Sequence, residues 1–263
     1  MRIDVLRLVR TVWNKKLARW PHLVELSQLS HRDLLGFLRR VLRPERREYG
    51  GTFRMSVAAW LKAHQRDFGR KAHWMGVKAE KNPLDSWIYQ EIAYEVRPDA
   101  IIEIGSCAGG STLMLAHFLD LVGKGKVISI DIDRERFVAE HERIIALTGN
   151  SRSPEIISKV EELCAGGSVL VIHDGDHGRD QVLADLEVYS RLVTVGSYLI
   201  VEDGIVDLFR PMSGAGIFGL WPRGGPLPAI DRFLRDNPDF VIDQSRERYL
   251  ITYNPHGYLK RIR

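Results

Sequence analysis

From about residue 84 the sequence alternates short apolar runs with amphipathic stretches, and this alternation limits the possible folds more than any other feature. Strands are expected over residues 100–103, 127–131, 143–146, 168–173 and 197–201. Helices are expected between and around them, over residues 85–96, 110–121, 153–164 and 179–191. The run Val169, Leu170, Val171, Ile172 is apolar at consecutive positions, as in a strand buried on both faces. Strands of that kind joined through helices form a mainly parallel sheet with helices on both sides. Residues 240–243 and 249–253 supply two late strands with no long crossover helix between them, which suits an antiparallel edge pair. The expected fold is therefore α/β, a doubly wound, seven-stranded, mostly parallel sheet.

The most informative segment is Ile101-Ile102-Glu103-Ile104-Gly105-Ser106-Cys107-Ala108-Gly109-Gly110-Ser111-Thr112. A strand runs into a glycine-rich turn and then into a helix whose first N–H groups are free. Loops of this kind hold pyrophosphates in dinucleotide sites, but the spacing here is Gly-x-x-x-Gly-Gly and an acid stands two residues before the first glycine. A carboxylate there suits a cationic amino group and repels a pyrophosphate. Asp131 and Asp133 end the next strand, where an acid can accept from ribose hydroxyls. Together these residues favour S-adenosylmethionine over NAD. The cofactor contacts are expected at Glu103, Gly105, Ser106, Gly109, Gly110, Ser111, Thr112, Asp131 and Asp133. Ser151 and Ser153 are placed on the adenine side.

Two acidic clusters end the next two strands: His173-Asp174-Gly175-Asp176-His177 and Val201-Glu202-Asp203. Ligands of open α/β sheets bind outside the carboxyl ends of the strands, so both clusters share a rim with the glycine loop. Carboxylates gathered there repel one another unless a cation lies between them. Oxygen donors suit a hard cation, Mg²⁺ first, then Mn²⁺ or Ca²⁺. The alternative is that Asp174 and Asp203 only cap the following helices. His177 is either a general base or a helix-capping histidine. Zinc is disfavoured, because His173 and His177 straddle a strand end instead of sharing a helix face.

Charge is unevenly spread. Residues 1–48 carry twelve Lys and Arg against five acids, net +7, which leaves −3 for the rest of a chain whose total is +4. The basic pI therefore belongs to the N-terminal fifth and is no nucleic-acid footprint of the whole protein. Leu6, Val9, Val12, Trp13, Leu17 and Trp20 share one face of an expected helix over residues 3–20. That basic helix either docks on protein, its own domain or a second subunit of a homo-oligomer, or lies on an anionic membrane surface. Further short helices are expected over residues 30–42 and 55–65. There is no apolar run of transmembrane length and no signal-peptide pattern at the N-terminus. Cys107 and Cys164 are the only cysteines, too few for a disulfide scaffold, so a cytoplasmic location is expected. With 44% hydrophobic and 27% charged residues, the composition excludes a disordered or fibrous chain.

Residues 74–263 resemble the cephalosporin hydroxylase family, whose members have the class I, Rossmann-like S-adenosylmethionine methyltransferase fold and include rhamnosyl O-methyltransferases. The matching pieces begin with Trp74-Met75-Gly76, Lys81-Asn82-Pro83-Leu84-Asp85 with Tyr89-Gln90-Glu91, and Arg97-Pro98-Asp99 leading into the glycine loop. They continue through Val127-Ile128-Ser129-Ile130-Asp131-Ile132-Asp133, Asp174-Gly175-Asp176-His177, Gly196-Ser197-Tyr198-Leu199-Ile200-Val201-Glu202-Asp203 and Asn254-Pro255-His256-Gly257-Tyr258-Leu259-Lys260-Arg261. The resemblance implies a methyltransferase domain over residues 71–263 behind a basic helical extension over residues 1–70. It implies a metal held by Asp174, Glu202 and Asp203, with Asp174 also beside the cofactor, and His177 as the base. Two departures are His173, where an apolar residue is more usual, and Gly175, where Ser is common.

The activity implied is Mg²⁺-dependent O-methylation of a vicinal diol on a deoxysugar of a glycolipid or glycosylated natural product. The acceptor is expected to meet Asp176 and His177. It also meets Phe218 and Trp221, in a glycine- and proline-rich segment over residues 211–228 placed as a lid. Alternatives are a catechol-type O-methyltransferase, a hydroxylase as the family name suggests, and a catalytically silent cofactor-binding or membrane-surface protein. An iron hydroxylase wants two His and one carboxylate, whereas this cluster is mainly carboxylates.

Overall fold

The computed structural model describes residues 71–209 and 224–263, together with residue 57. The helices expected over 3–20, 30–42 and 55–65 lie outside these residues apart from residue 57, as do Phe218 and Trp221. No helix among the described residues is long and apolar enough to cross a membrane.

A two-stranded hairpin, β1 (His73–Trp74) with β2 (Val77–Lys78), precedes helix α1 (Pro83–Val96). Asn82 caps α1 by accepting from the Leu84 N–H, and Pro83 stands where no helical N–H is needed. Then follow β3 (Ala100–Ile104), α2 (Gly110–Val122), β4 (Lys126–Asp131), β5 (Ile144–Thr148), α3 (Pro154–Cys164), β6 (Val169–His173) and α4 (Arg179–Tyr189). The chain closes with β7 (Tyr198–Val201), α5 (Ile205–Phe209), α6 (Pro226–Asp236), β8 (Phe240–Ile242) and β9 (Tyr258–Arg261).

The main sheet has seven strands in the order β5-β4-β3-β6-β7-β9-β8. The first five are parallel, and β9 runs antiparallel to both β7 and β8. The doubly wound fold is as expected. One local expectation is corrected. Residues 249–253 form no strand; Thr252 and Tyr253 instead bind the Asp85 carboxylate, and the seventh strand is Tyr258–Arg261. With β8 outermost, this strand forms the antiparallel pair expected at the edge of the sheet. Helix α6 was hidden in a proline-rich stretch, where prolines at its start cost no hydrogen bond.

Alternate side chains of each strand feed two cores. Ile102, Ile104, Ile128, Ile130, Val169, Val171, Leu199 and Val201 face α3, α4 and α6 through Val160, Leu186 and Phe233. Ile101, Val127, Leu170, Ile172, Tyr198 and Ile200 face α1 and α2 through Ile88, Ile92, Met114, Leu115 and Leu119. Burial on both faces is why these strands read as continuous apolar runs.

Asp85 ties the C-terminal segment to α1. Its buried carboxylate accepts from Asn82 Nδ2, the Thr252 hydroxyl, the Tyr253 N–H and the Tyr258 hydroxyl, at 2.6–2.9 Å. Asp85→Ala strands four donors and is expected to cost about 3 kcal/mol or more in denaturant unfolding, with Asp85→Asn between the two. A loss under 1 kcal/mol would sink this account.

Candidate active site

The parallel register brings four strand ends together. Gly105 N–H donates to the Ile130 carbonyl, Asp174 N–H to Ile104 and Glu202 N–H to His173, at 2.8–2.9 Å. The chain beyond β3, β4, β6 and β7 therefore leaves the sheet on one rim. A cavity of about 440 Å³ opens there. It is lined by Gly105, Ser106, Ser111, Asp131, Ser151, Asp174 and Asp176 among the expected residues, and by Lys81, Asn150 and Asp185 among others.

The glycines serve this junction in a way the sequence did not reveal. A Cβ on Gly105, whose φ is +85°, would lie 2.1 Å from the Asp174 carbonyl oxygen. A Cβ on Gly110 would lie 2.2 Å from the Lys78 carbonyl oxygen. Gly105 thus lets the cofactor loop and the acidic strand end share one backbone contact, and Gly110 admits the β2 hairpin against α2. Gly109, at φ +87°, starts α2 with no side-chain cap. Gly109 and Gly110 do not line the cavity.

Asp131 stands beside this loop. Its Oδ2 accepts from the N–H groups of Ser106 and Cys107 at 2.8 and 3.0 Å. These bonds hold its pKa below the ordinary carboxylate value, although burial pulls the other way. Asp133 is turned aside: its Oδ1 caps the following turn at the Glu135 N–H, and it does not line the cavity. Arg134, which sequence reasoning missed, braces the loop. It donates to Ser106 Oγ at 2.9 Å and to the Leu147 carbonyl at 3.0 Å. On the far wall Ser151 donates to Asp185 at 2.7 Å. Ser153 caps α3 instead of facing the cavity.

Glu103 is fully buried and does not line the cavity. One of its oxygens takes the Thr112 hydroxyl, while Oε1 has no hydrogen-bond partner. Burial raises its pKa, and the nearby Lys81 ammonium opposes that rise. An orphaned buried carboxylate oxygen behind the loop fits a cofactor that brings an ammonium group.

Asp174, His177 and Asp203 each place a ligand atom within 4.8 Å of the other two. His177 Nε2 lies 3.3 Å from Asp203 Oδ2. Asp203 sits at φ 59°, a left-handed conformation that costs a non-glycine residue energy, and Asn254 Oδ1 steadies its N–H at 3.1 Å. Glu202 is engaged differently. Its Oε1 is 2.6 Å from the Nζ of Lys81, which also donates to Asp174 Oδ2. Asp176 caps the start of α4 through the Gly178 N–H at 2.6 Å.

One ammonium thus faces Asp174, Glu202, Asp203 and, further in, Glu103. Burial alone would lower the Lys81 pKa, but the carboxylates drive it well above the ordinary lysine value. Burial raises Glu202 well above the carboxylate range, with Asp174 repulsion next. Burial also pushes Asp203 up to about 6, against the pull of His177. Lys81 is held ionised by donating to both Asp174 and Glu202, and this one ammonium cannot satisfy all four acids. The site is short of positive charge, so its oxygen donors fit an added hard cation. His173 is turned away, its Nε2 3.1 Å from Asp185 Oδ2, so the described cluster offers one His and not the pair an iron hydroxylase needs.

The model of the family described as Rhamnosyl O-methyltransferase/CmcI matches residues 66–262. The chain belongs to this family. It is an S-adenosylmethionine-dependent O-methyltransferase. Among similar curated proteins, the Rhamnosyl O-methyltransferase of Mycobacterium leprae is 34% identical over 195 residues, which is 72% of this chain and 82% of the relative. That of Mycobacterium tuberculosis is 30% identical over 199 residues, 73% of this chain and 78% of the relative. In fold the methyltransferase is similar to the Mg–SAM structure of CmcI (TM-score 0.55, 20% identity, 73% of this chain and 77% of that one). It is similar also to the CmcI apo-structure (TM-score 0.55, 21% identity, 91% and 99%).

Gly105→Ala tests the shared backbone contact. The clash with Asp174 and the positive φ are expected to cost about 2 kcal/mol or more in denaturant unfolding and to weaken binding of S-adenosylhomocysteine by calorimetry. Wild-type values for both would refute it.

Proposed function

We propose that this methyltransferase moves a methyl group from S-adenosylmethionine to one hydroxyl of a vicinal diol, on a deoxysugar of the rhamnosyl type, with a divalent cation, Mg²⁺ or Mn²⁺, at Asp174, Glu202 and Asp203. The observation that carries this reading is the convergence of Asp174 and Asp203, with His177 beside them, within 4.8 Å at a rim where Lys81 ties Glu202 to Asp174, against the cavity lined by the glycine loop. The names of the curated relatives support the rhamnosyl acceptor, and the Mg–SAM complex of CmcI supports the metal and the methyl donor.

S-adenosylmethionine supplies a methyl group on a sulfonium, and a bound divalent cation supplies Lewis acidity that makes a nearby sugar hydroxyl more acidic. The residues of the chain do the rest. Asp174 and Asp203 orient the acceptor side of the site across from Gly105 and Ser106. Asp203, 3.3 Å from His177 Nε2, orients the imidazole and stabilises the cation it becomes on taking the hydroxyl proton. The acceptor oxygen then forms its bond to the methyl carbon as the carbon–sulfur bond breaks, and S-adenosylhomocysteine leaves. Holding the two substrates across one rim removes much of the entropic barrier. The basic N-terminal segment, through residues 3–20, would dock on protein, its own domain or a second subunit, or else bring the enzyme to a membrane carrying a glycolipid acceptor.

Methyl transfer to a panel of rhamnosylated lipids, macrolide glycosides and catechols tests the acceptor class. Transfer confined to the catechols would replace the sugar reading. With the preferred acceptor, His177→Ala is expected to lower turnover by about 10²–10⁴-fold. Asp174→Ala is expected to remove the response to added Mg²⁺. Undiminished turnover in either variant defeats the role assigned to that residue.

A further inference from the structure

Lys81 stands one residue before the cap of α1, far in sequence from both acidic clusters, and its side chain is only 6% exposed. A buried lysine is unusual and needs a reason. Its Nζ reaches Asp174, beyond the end of β6, and Glu202, beyond the end of β7, so one ammonium clamps two neighbouring strand ends. Both of its partners belong to the acid set assigned above to the divalent cation.

We propose that Lys81 is a positioning residue for the metal site, a built-in cation that shares the carboxylates of Asp174 and Glu202 with the divalent ion. This rests on the metal reading above. Without the divalent ion, Lys81 supplies the counter-charge that lets acids at adjacent strand ends stay buried together. With the ion present, Lys81 remains a positive charge a few ångströms away and weakens the ion's hold. Two like charges that close, in a partly buried site, repel strongly enough to change affinity by at least about tenfold. The ammonium therefore does two separable things: it stabilises the metal-free site and it keeps metal binding reversible. Because Lys81 also lines the cofactor cavity, it couples the two halves of the site.

The experiment is calorimetric titration of Mg²⁺ into the full chain saturated with S-adenosylhomocysteine, together with melting temperatures with and without Mg²⁺. In Lys81→Met, Mg²⁺ is expected to bind about tenfold or more tightly, the melting temperature without metal to fall, and added Mg²⁺ to raise it by more than in the wild type. Lys81→Arg keeps the charge and is expected to bind Mg²⁺ within about threefold of the wild type. A purely structural lysine would lower stability without tightening Mg²⁺ binding. Unchanged or weaker Mg²⁺ affinity in Lys81→Met therefore overturns the proposal. Weakened binding of S-adenosylhomocysteine with Mg²⁺ affinity unchanged also overturns it, and places Lys81 on the cofactor carboxylate instead. If Lys81→Met does not fold, the double variant Lys81→Met with Glu202→Gln also removes the more deeply buried of the two acids left unpaired. Recovery of the fold supports the charge argument, and failure to recover overturns it. Should the wild type itself bind no Mg²⁺ while still binding S-adenosylhomocysteine, the metal reading falls and this inference with it.

Discussion

The structure is organised around buried negative charge. Asp174, Glu202, Asp203 and Glu103 cluster at the carboxyl ends of adjacent parallel strands, with the Lys81 ammonium among them. Such a cluster opposes folding unless something offsets it, and a folded chain that keeps it does so for chemistry. Burial first, and repulsion from Asp174 after it, raise the pKa values of Glu202 and Asp203. The same repulsion makes a divalent cation welcome.

The rest of the fold holds this cluster still. Two apolar cores grip the sheet from both faces, so the strand ends cannot drift. The glycine loop and the Asp174 strand end touch through backbone atoms at a position where only glycine fits. The two are thus parts of one rigid rim. Asp203 keeps its left-handed backbone because Asn254, brought over by the C-terminal segment, receives its N–H. That segment is anchored in turn by the four hydrogen bonds to Asp85.

Much of the fold was legible because the strands are buried on both faces, which leaves an unbroken apolar signature. Residues 249–253 form no strand for a physical reason. Those residues are apolar enough for a strand, but the hydroxyl of Thr252 and the N–H of Tyr253 find a better partner in Asp85. Tyr258–Arg261, half basic, pairs on both sides through backbone atoms alone. In the site, Asp131, Ser106, Ser111 and Asp174 line the cavity as their motif suggested, whereas Asp133 caps a turn and Glu103 lies beneath the floor. Arg134, Asn254 and Lys81 escaped notice as site residues, because each acts on a partner distant in sequence.

By itself the sequence determined the alternation of strands and helices, the chemistry of the rim and the order in which its acids occur. Those are local properties, set by burial period and by which residues end each strand. Only the tertiary structure decided which acids share a cation, because that depends on strand order and on a lysine from before the first long helix. It also decided that Gly105 is required by the Asp174 carbonyl. A contact between two backbones leaves no trace in the side-chain pattern of either.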